Sequence, residues 1–253
     1  MNVNNMQSFD PSRFGEELKE SIKKRSDKLI EIFLISYFLV GILLASAYDT
    51  WLIGASVGAL SLALYFLAKK LFPKGNVHQY TASLVVGIFM ALFIYQMHGL
   101  FEMHFFAFVG ATLMITYQNW KAQLPLLLFV VVHHATFGYM QYSNFIENKG
   151  NTIYFTQLNY MDLETFIIHA ILAAIIVFIC ALWAHDNYKR TEEIIANTKN
   201  IMAVAEANES VAQNLEYAMM LSNGMINEKI TYKEGDLMGE ALSAIQKKLK
   251  GEL

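Results

Sequence analysis

The chain has 253 residues, 55% of them hydrophobic and only 16% charged, more apolar material than one soluble domain of this size needs, which points to a membrane protein. Asp plus Glu (22) nearly balance Lys plus Arg (19), and no basic patch is interleaved with aromatics, which excludes nucleic acid as a partner. The single cysteine, Cys180, lies in an apolar run, so no intrachain disulfide is possible and a packed, inert thiol is expected.

The first 28 residues carry Asp10, Glu16, Glu17 and Glu20 and lack the apolar core and cleavage site of a signal peptide. After Asp10-Pro11-Ser12, the residues Phe14, Leu18 and Ile22 recur at helical spacing beside Lys19, Lys23, Lys24 and Arg25. A short amphipathic helix on the cytoplasmic leaflet is predicted over this 1–28 segment. Six apolar runs then follow, near 29–48, 51–71, 80–97, 100–117, 124–140 and 163–184, each close to the roughly 20 residues that a spanning helix needs. The fourth is the weakest, because Glu102 and His104 interrupt its first turn. The expected fold is therefore all-α, a bundle of six transmembrane helices over 29–185 with a helical cytoplasmic extension over 186–253.

Lys and Arg in short loops stay on the cytoplasmic side. They crowd the N-terminal tail, follow the second run (Lys69, Lys70, Lys74), the fourth (Lys121) and the sixth (Lys189, Arg190), while the other face holds Lys149. Both termini are thus expected in the cytoplasm of a bacterial inner membrane, with external turns near Asp49, near Gly99 and over 141–162. Beyond Trp183 the stretch 186–222 is polar with a three-and-four apolar stripe through Ile194, Ile201, Met202, Val211, Leu215 and Met219, the pattern of a coiled-coil helix. Asn223-Gly224 breaks it, a polar connector follows, and Gly235-Asp236 opens a second amphipathic helix. Helix, connector and helix suggests a parallel homodimeric relay.

The histidines are unevenly placed. His78 falls in the cytoplasmic turn after the second run and His185 at the inner end of the sixth, both ordinary interfacial positions. His98 and Glu102 fall near the outer rim; His104 lies about one turn inside its helix, and His133, His134 and His169 roughly 9 to 12 Å below the outer end of theirs. Ionisable side chains inside a bilayer are costly and normally face the bundle interior, paired with each other, with a metal or with water. Neutral imidazole is the commonest metal ligand, and Glu102 can complete the first shell or orient a histidine. His98, Glu102, His104, His133, His134 and His169 are therefore the candidate metal residues. Adjacent His133 and His134 diverge by about 100°, which favours either a dinuclear centre or one ligand plus one supporting donor. Copper, iron and zinc all suit imidazole, and Met97, Met103 and Met140 nearby offer sulfur. A purely hydrogen-bonded cluster or proton relay is the competing explanation of the same residues.

The stretch His98-Gly-Leu-Phe-Glu102-Met-His104-Phe, then Tyr117-Gln-Asn-Trp120, then His133-His134-Ala-Thr-Phe137 and finally His169-Ala170 resembles the membrane input region of bacterial methyl-accepting chemotaxis receptors and sensor kinases. That family carries HG-x-x-E-x-HF, Y-x-D-W-R, HH-x-x-F and a late LHA. Asn119 and Lys121 stand where the pattern has Asp and Arg. Residues Glu234 to Leu242 are similar to the entry of the second helix in HAMP-type relays. The resemblance implies a sensory module that detects a metal ion, or a redox or gaseous signal at a bound metal, and passes it to a kinase or chemotaxis signalling domain. Such chains usually continue beyond the relay; this one ends at Leu253, as a fragment or as a protein that docks to its partner. The alternative is a membrane metal-dependent oxidoreductase or an electron-transfer protein with haem b. The absence of an internal repeat argues against a transporter.

Overall fold

In the computed structural model the described residues are 11–149 and 153–251; the predicted features at the extreme N-terminus lie outside them, as do the side chains of Pro11 and Ser12. The described chain is helical: α1 (Pro11–Tyr48), α2 (Trp51–Leu71), α3 (Val77–Gln96), α4 (Phe105–Met114), α5 (Leu124–Ile146), α6 (Leu163–Ser222) and α7 (Leu237–Lys250), with short 3₁₀ segments at Phe101–His104, Ile115–Tyr117 and Trp120–Gln123. It divides into two compact units, one of residues 16–191 and one of residues 1–15 with 192–253. Among the described residues, five helices (α1, α2, α3, α5 with its 3₁₀ lead-in, and α6) are long and apolar enough to cross a membrane.

Three elements differ from expectation. No separate interfacial helix precedes the first apolar run, because α1 passes through both without a break. Between Arg13 and Leu29 there is no proline and one glycine, Gly15, near the start, and Glu20 pairs with Lys24 one turn on at 2.8 Å. Helix α5 continues to Ile146, so the turn after it is shorter than 141–162. The fourth apolar run is a ten-residue α-helix between two 3₁₀ segments, not a regular span. Because 3₁₀ geometry rises about 2.0 Å per residue against 1.5 Å in an α-helix, these 17 residues, Phe101–Tyr117, still extend about 29 Å.

In the larger unit α3 is the central helix: two thirds of its apolar window (67%) is buried, against 6% for α6. Apolar side chains gain little by leaving lipid for one another, so close packing and satisfied polar groups must hold such helices together. Small residues allow the approach. A Cβ on Gly110 of α4 would lie 2.0 Å from Val86 Cγ1, and one on Gly87 of α3 would lie 2.7 Å from the Phe129 ring. Tyr37 meets Phe89, Phe93 and Phe106 edge-on at 5.3–5.9 Å. Cys180 is buried.

Buried amides and hydroxyls bridge the helices. Gln96 Nε2 donates to Gly41 O (2.8 Å) and Thr50 Oγ1 (3.2 Å), tying α3 to α1 and the following turn. Leu126 N, an amide that the start of α5 leaves without a helical partner, donates to Ser83 Oγ at 3.0 Å. Pro125 sits beside it in the first turn, where a missing N–H costs nothing.

In the smaller unit, the last part of α6 packs with the connector and α7. Asp236 caps α7 by accepting from Gly239 N (3.1 Å), and also accepts from Ser210 Oγ (2.7 Å) and Asn214 Nδ2 (2.9 Å) of α6. Lys233 pairs with Glu206 at 2.6 Å, Gln246 Nε2 donates to Ile226 O at 2.9 Å, and Lys247, Lys248 and Lys250 complement the C-terminal end of α7.

The backbone amide of Gly239, then Ser210 and Asn214, hold the Asp236 carboxyl below its ordinary value. The folded form is thus favoured at pH above the ordinary carboxylate range, and the advantage is lost as pH falls through the lowered value. The protection factor at Gly239, taken relative to the intrinsic exchange rate at each pH, should be high and flat around neutrality and fall in acid. Asp236→Ala should make it low at both pH values, and equal protection in the variant would contradict the assignment.

Candidate functional site

Three imidazoles from three different elements meet in the larger unit. His104 ends the 3₁₀ segment leading into α4, His134 lies mid-way along α5, and His169 lies in the second turn of α6. Their ring centres are 5.2 Å (His104–His134), 5.5 Å (His134–His169) and 5.7 Å (His104–His169) apart. His104 and His134 are buried and His169 is half-buried.

The ring nitrogens are sorted by their backbone contacts. His104 Nδ1 lies 3.2 Å from Phe101 O, and His134 Nδ1 lies 2.9 Å from Val130 O. A carbonyl only accepts, so each Nδ1 carries the proton and donates it, which leaves Nε2 with the lone pair in the neutral ring. His104 Nε2 is buried and without a hydrogen-bond partner. This is the tautomer by which histidines commonly bind metals: one nitrogen fixed by a carbonyl, the other presented to the ion.

Three imidazole nitrogens about 2.0–2.1 Å from one tetrahedral ion set the ring centres about 5 Å apart, close to the separations here. As the side chains stand, no group of three or more His, Cys, Asp or Glu among the described residues is arranged to hold an ion.

The remaining candidates are placed differently. The His133 ring is 5.4 Å from that of His134 but stacks on Phe137 at 4.7 Å; its Nδ1 is buried without a partner. His98 lies between two tyrosines, 3.8 Å from the Tyr48 ring and 3.9 Å from the Tyr154 ring. Glu102 is exposed. The structure thus brings His104, His134 and His169 together with His133 beside them, and it places His98 in an aromatic sandwich.

Sequence inspection missed what covers these rings. Phe155, in the connection between α5 and α6, is fully buried, with its ring 5.7, 6.1 and 5.2 Å from those of His104, His133 and His134. Its neighbours are pinned. Gln141 Nε2 donates to Thr156 O (2.8 Å) and Leu158 O (3.0 Å), and Thr156 Oγ1 donates to Gln141 Oε1 (3.1 Å). Gly99 has φ +81°, and a Cβ there would lie 2.5 Å from the carbonyl carbon of Thr156. The Gly after His98 therefore has a physical reason: only a residue without Cβ lets the two backbones touch.

A second polar cluster surrounds His78, which was expected at an ordinary interfacial position and is instead buried in the first turn of α3. His78 Nε2 is 3.1 Å from Asp27 Oδ1, Lys69 lies 3.5 Å from Asp27 and also pairs with Glu31, and the His78 ring meets Tyr117 edge-on at 6.2 Å. The apparent loop position misled because α3 begins at Val77, and helix α1, reaching back through Asp27, covers it.

Comparison with protein-family models, curated proteins and solved structures returned no significant match.

Gly99→Ala should lower the stability of the detergent-purified protein by about 1–3 kcal/mol, through positive-φ strain and the Thr156 clash. Gln141→Ala should cost a similar amount, since it strips partners from a buried backbone. As both undock the same segment, a thermal double-mutant cycle should give less than the sum; strict additivity would show that the two contacts are independent.

Proposed function

We propose that this chain is a sensory input module of a bacterial inner membrane, with its termini in the cytoplasm, in which a transition-metal site formed by His104, His134 and His169 controls helix α6. The single observation that carries it is the meeting of three imidazoles from separate elements, two with Nδ1 committed to backbone carbonyls. A buried ring nitrogen without a hydrogen-bond partner, such as His104 Nε2, is costly unless something shares its lone pair. Ligation asks for rotation of side chains rather than movement of helices. His133 supports from beside His134, and Glu102 and His98 stay outside the liganding set.

A bound ion would supply a coordination sphere whose ligand demand changes with oxidation state or with an added small ligand; copper, iron and zinc all fit imidazole. The protein's part is mechanical. His169 lies near the start of α6, a single helix of 60 residues, so a demand made on its ring acts on an element that runs unbroken to Ser222. Phe155 and its pinned neighbours keep water and bulky competitors away from the rings.

The far end of α6 supports a relay. Ile194, Ile201, Val204, Val211, Leu215 and Met219 are each more than half exposed, and so are Leu237, Met238 and Leu249 of α7. An apolar stripe of this kind in water calls for a partner, and its spacing suits a second copy in a parallel helical bundle. The fourth apolar run completes six spans under this proposal, its 3₁₀ ends supplying the reach that its length lacks.

Metal analysis of purified protein tests the site. We expect about one bound transition-metal ion per chain, lost in His104→Ala, His134→Ala and His169→Ala and retained in His98→Ala and Glu102→Gln. Unchanged metal content in the first three would remove the premise, and a Soret band in the optical spectrum would replace it with haem chemistry. For the relay, Leu215→Glu should convert a dimer into a monomer by light scattering with metal content unaltered; a wild-type protein that is monomeric throughout would rule the coil out.

A further inference from the structure

A cavity of about 380 Å³ lies beside the imidazole cluster of the larger unit, walled by α2, α3, α5 and the connection after α5. Helical spacing builds its aromatic wall. Phe129, His133 and Phe137 recur every four residues along one face of α5, and their rings run nearly parallel, His133 lying 6.1 Å from Phe129 at 16° and 4.7 Å from Phe137 at 29°. Tyr95 of α3 and Tyr154 of the connection, 6.0 Å apart and edge-on, line the space too, with aliphatic side chains of α2 and α3. No Asp, Glu, Lys or Arg among the described residues does.

One polar group in the α5 wall goes unanswered by the protein. His133 is 8% exposed, and its Nδ1 is buried with no hydrogen-bond partner. At His104 and His134 a backbone carbonyl takes the Nδ1 proton. At His133 none does, so either ring nitrogen is free to carry the hydrogen and to offer it to a bound molecule. Leaving such a group unpaired among apolar side chains is costly. The cavity also reaches the outside of the bundle, where Tyr95 and Phe137 are 37% and 38% exposed; on membrane-crossing helices such rings meet lipid.

These features define the chemistry of an occupant. The volume is many times what a water-sized molecule of about 30 Å³ needs, and it falls in the range of small-molecule sites, which are mostly apolar with a few placed polar groups. Flat aromatic walls favour a planar ring. The absence of a fixed charge disfavours an ion, and the imidazole hydrogen asks for an acceptor, which a hydrocarbon chain does not have. We infer that the cavity binds the headgroup of a lipophilic quinone drawn from the bilayer, with a carbonyl oxygen accepting from the His133 ring N–H. The inference rests on the chain being membrane-embedded, as proposed above, but not on the metal site. The rings of His133 and His134 are 5.4 Å apart, so a bound quinone lies beside the imidazole cluster, and the quinone content of the membrane is felt one residue from a proposed metal ligand.

Native mass spectrometry of the full chain, extracted in neutral detergent and titrated with decylubiquinone, tests it, with decylbenzene as the probe that keeps ring and tail but has no carbonyl. The wild-type protein should bind decylubiquinone and hold decylbenzene roughly tenfold more weakly or worse. His133→Phe, which keeps an aromatic ring and removes the donor, should weaken decylubiquinone binding by roughly the same factor, while His133→Gln, which keeps a donor, should retain most of it. Ala91→Phe, which narrows the cavity from α3 and leaves His133 in place, should weaken binding as well; Phe178→Leu on α6, outside the cavity, should not. Equal binding of the two probes, indifference to His133→Phe or to Ala91→Phe, or a loss in His133→Gln as large as in His133→Phe would each overturn the proposal. The comparison of the two probes is made on the wild-type protein and so stands whatever the stability of the variants. The same titration on His134→Ala separates the two ideas: lost metal with retained decylubiquinone leaves this cavity standing, and a wild-type protein that holds metal but does not distinguish the probes leaves the metal site standing.

Discussion

The contact on which the candidate site depends is backbone against backbone, between Gly99 and Thr156. With that approach made and Gln141 holding the carbonyls of Thr156 and Leu158, the segment from Tyr154 to Thr156 has one place to lie. Tyr154 then closes on the face of His98 and Phe155 enters among the imidazoles. The connection thus packs an aromatic ring against three of the imidazoles. The cost is a left-handed backbone at two successive residues, His98 (φ 51°) and Gly99 (φ 81°), strain of the kind that persists where surrounding structure over-determines it.

The imidazole cluster and the His78 cluster solve the same problem differently. Both place titratable groups among apolar helices. Around His78, opposite charges answer one another: Asp27 and Glu31 against Lys69, with the histidine alongside. Around His134, three imidazoles face each other, two of them with Nδ1 against a backbone carbonyl. The first arrangement sets charge against charge, although His78 Nδ1 is buried without a hydrogen bond, and reads as structure. The second gathers rings with no ion pair among them, which is why it, and not the more highly charged cluster, is the candidate site.

Much of this architecture was legible in the sequence. The apolar runs located the long helices because hydropathy reports length directly, and Asp236 announced the start of α7 because an N-cap is a local signal. Shared depth grouped His98, His104, His133, His134 and His169 as one candidate set, but it could not tell which three rings would meet. Other features depend on contacts that no window contains. Residue His98, only six positions from His104, is turned away by its positive φ and taken up by tyrosines from two distant segments. Phe155 carries no motif, and its role exists only because Gly99 and Gln141 dock its neighbours. The fourth apolar run was expected as one more spanning helix, the weakest of the six, because 3₁₀ and α-turns share the same apolar composition.

The lone buried thiol has a practical corollary. With Cys180 inside the bundle and no other sulfhydryl in the chain, the wild-type protein is already a quiet background for site-directed labelling. A cysteine installed at Asp49 or Lys149, and another at Lys74 or Lys121, would each be the only thiol within reach of a membrane-impermeant maleimide, so intact and opened cells would report the sidedness of each turn without first stripping a native residue from the core.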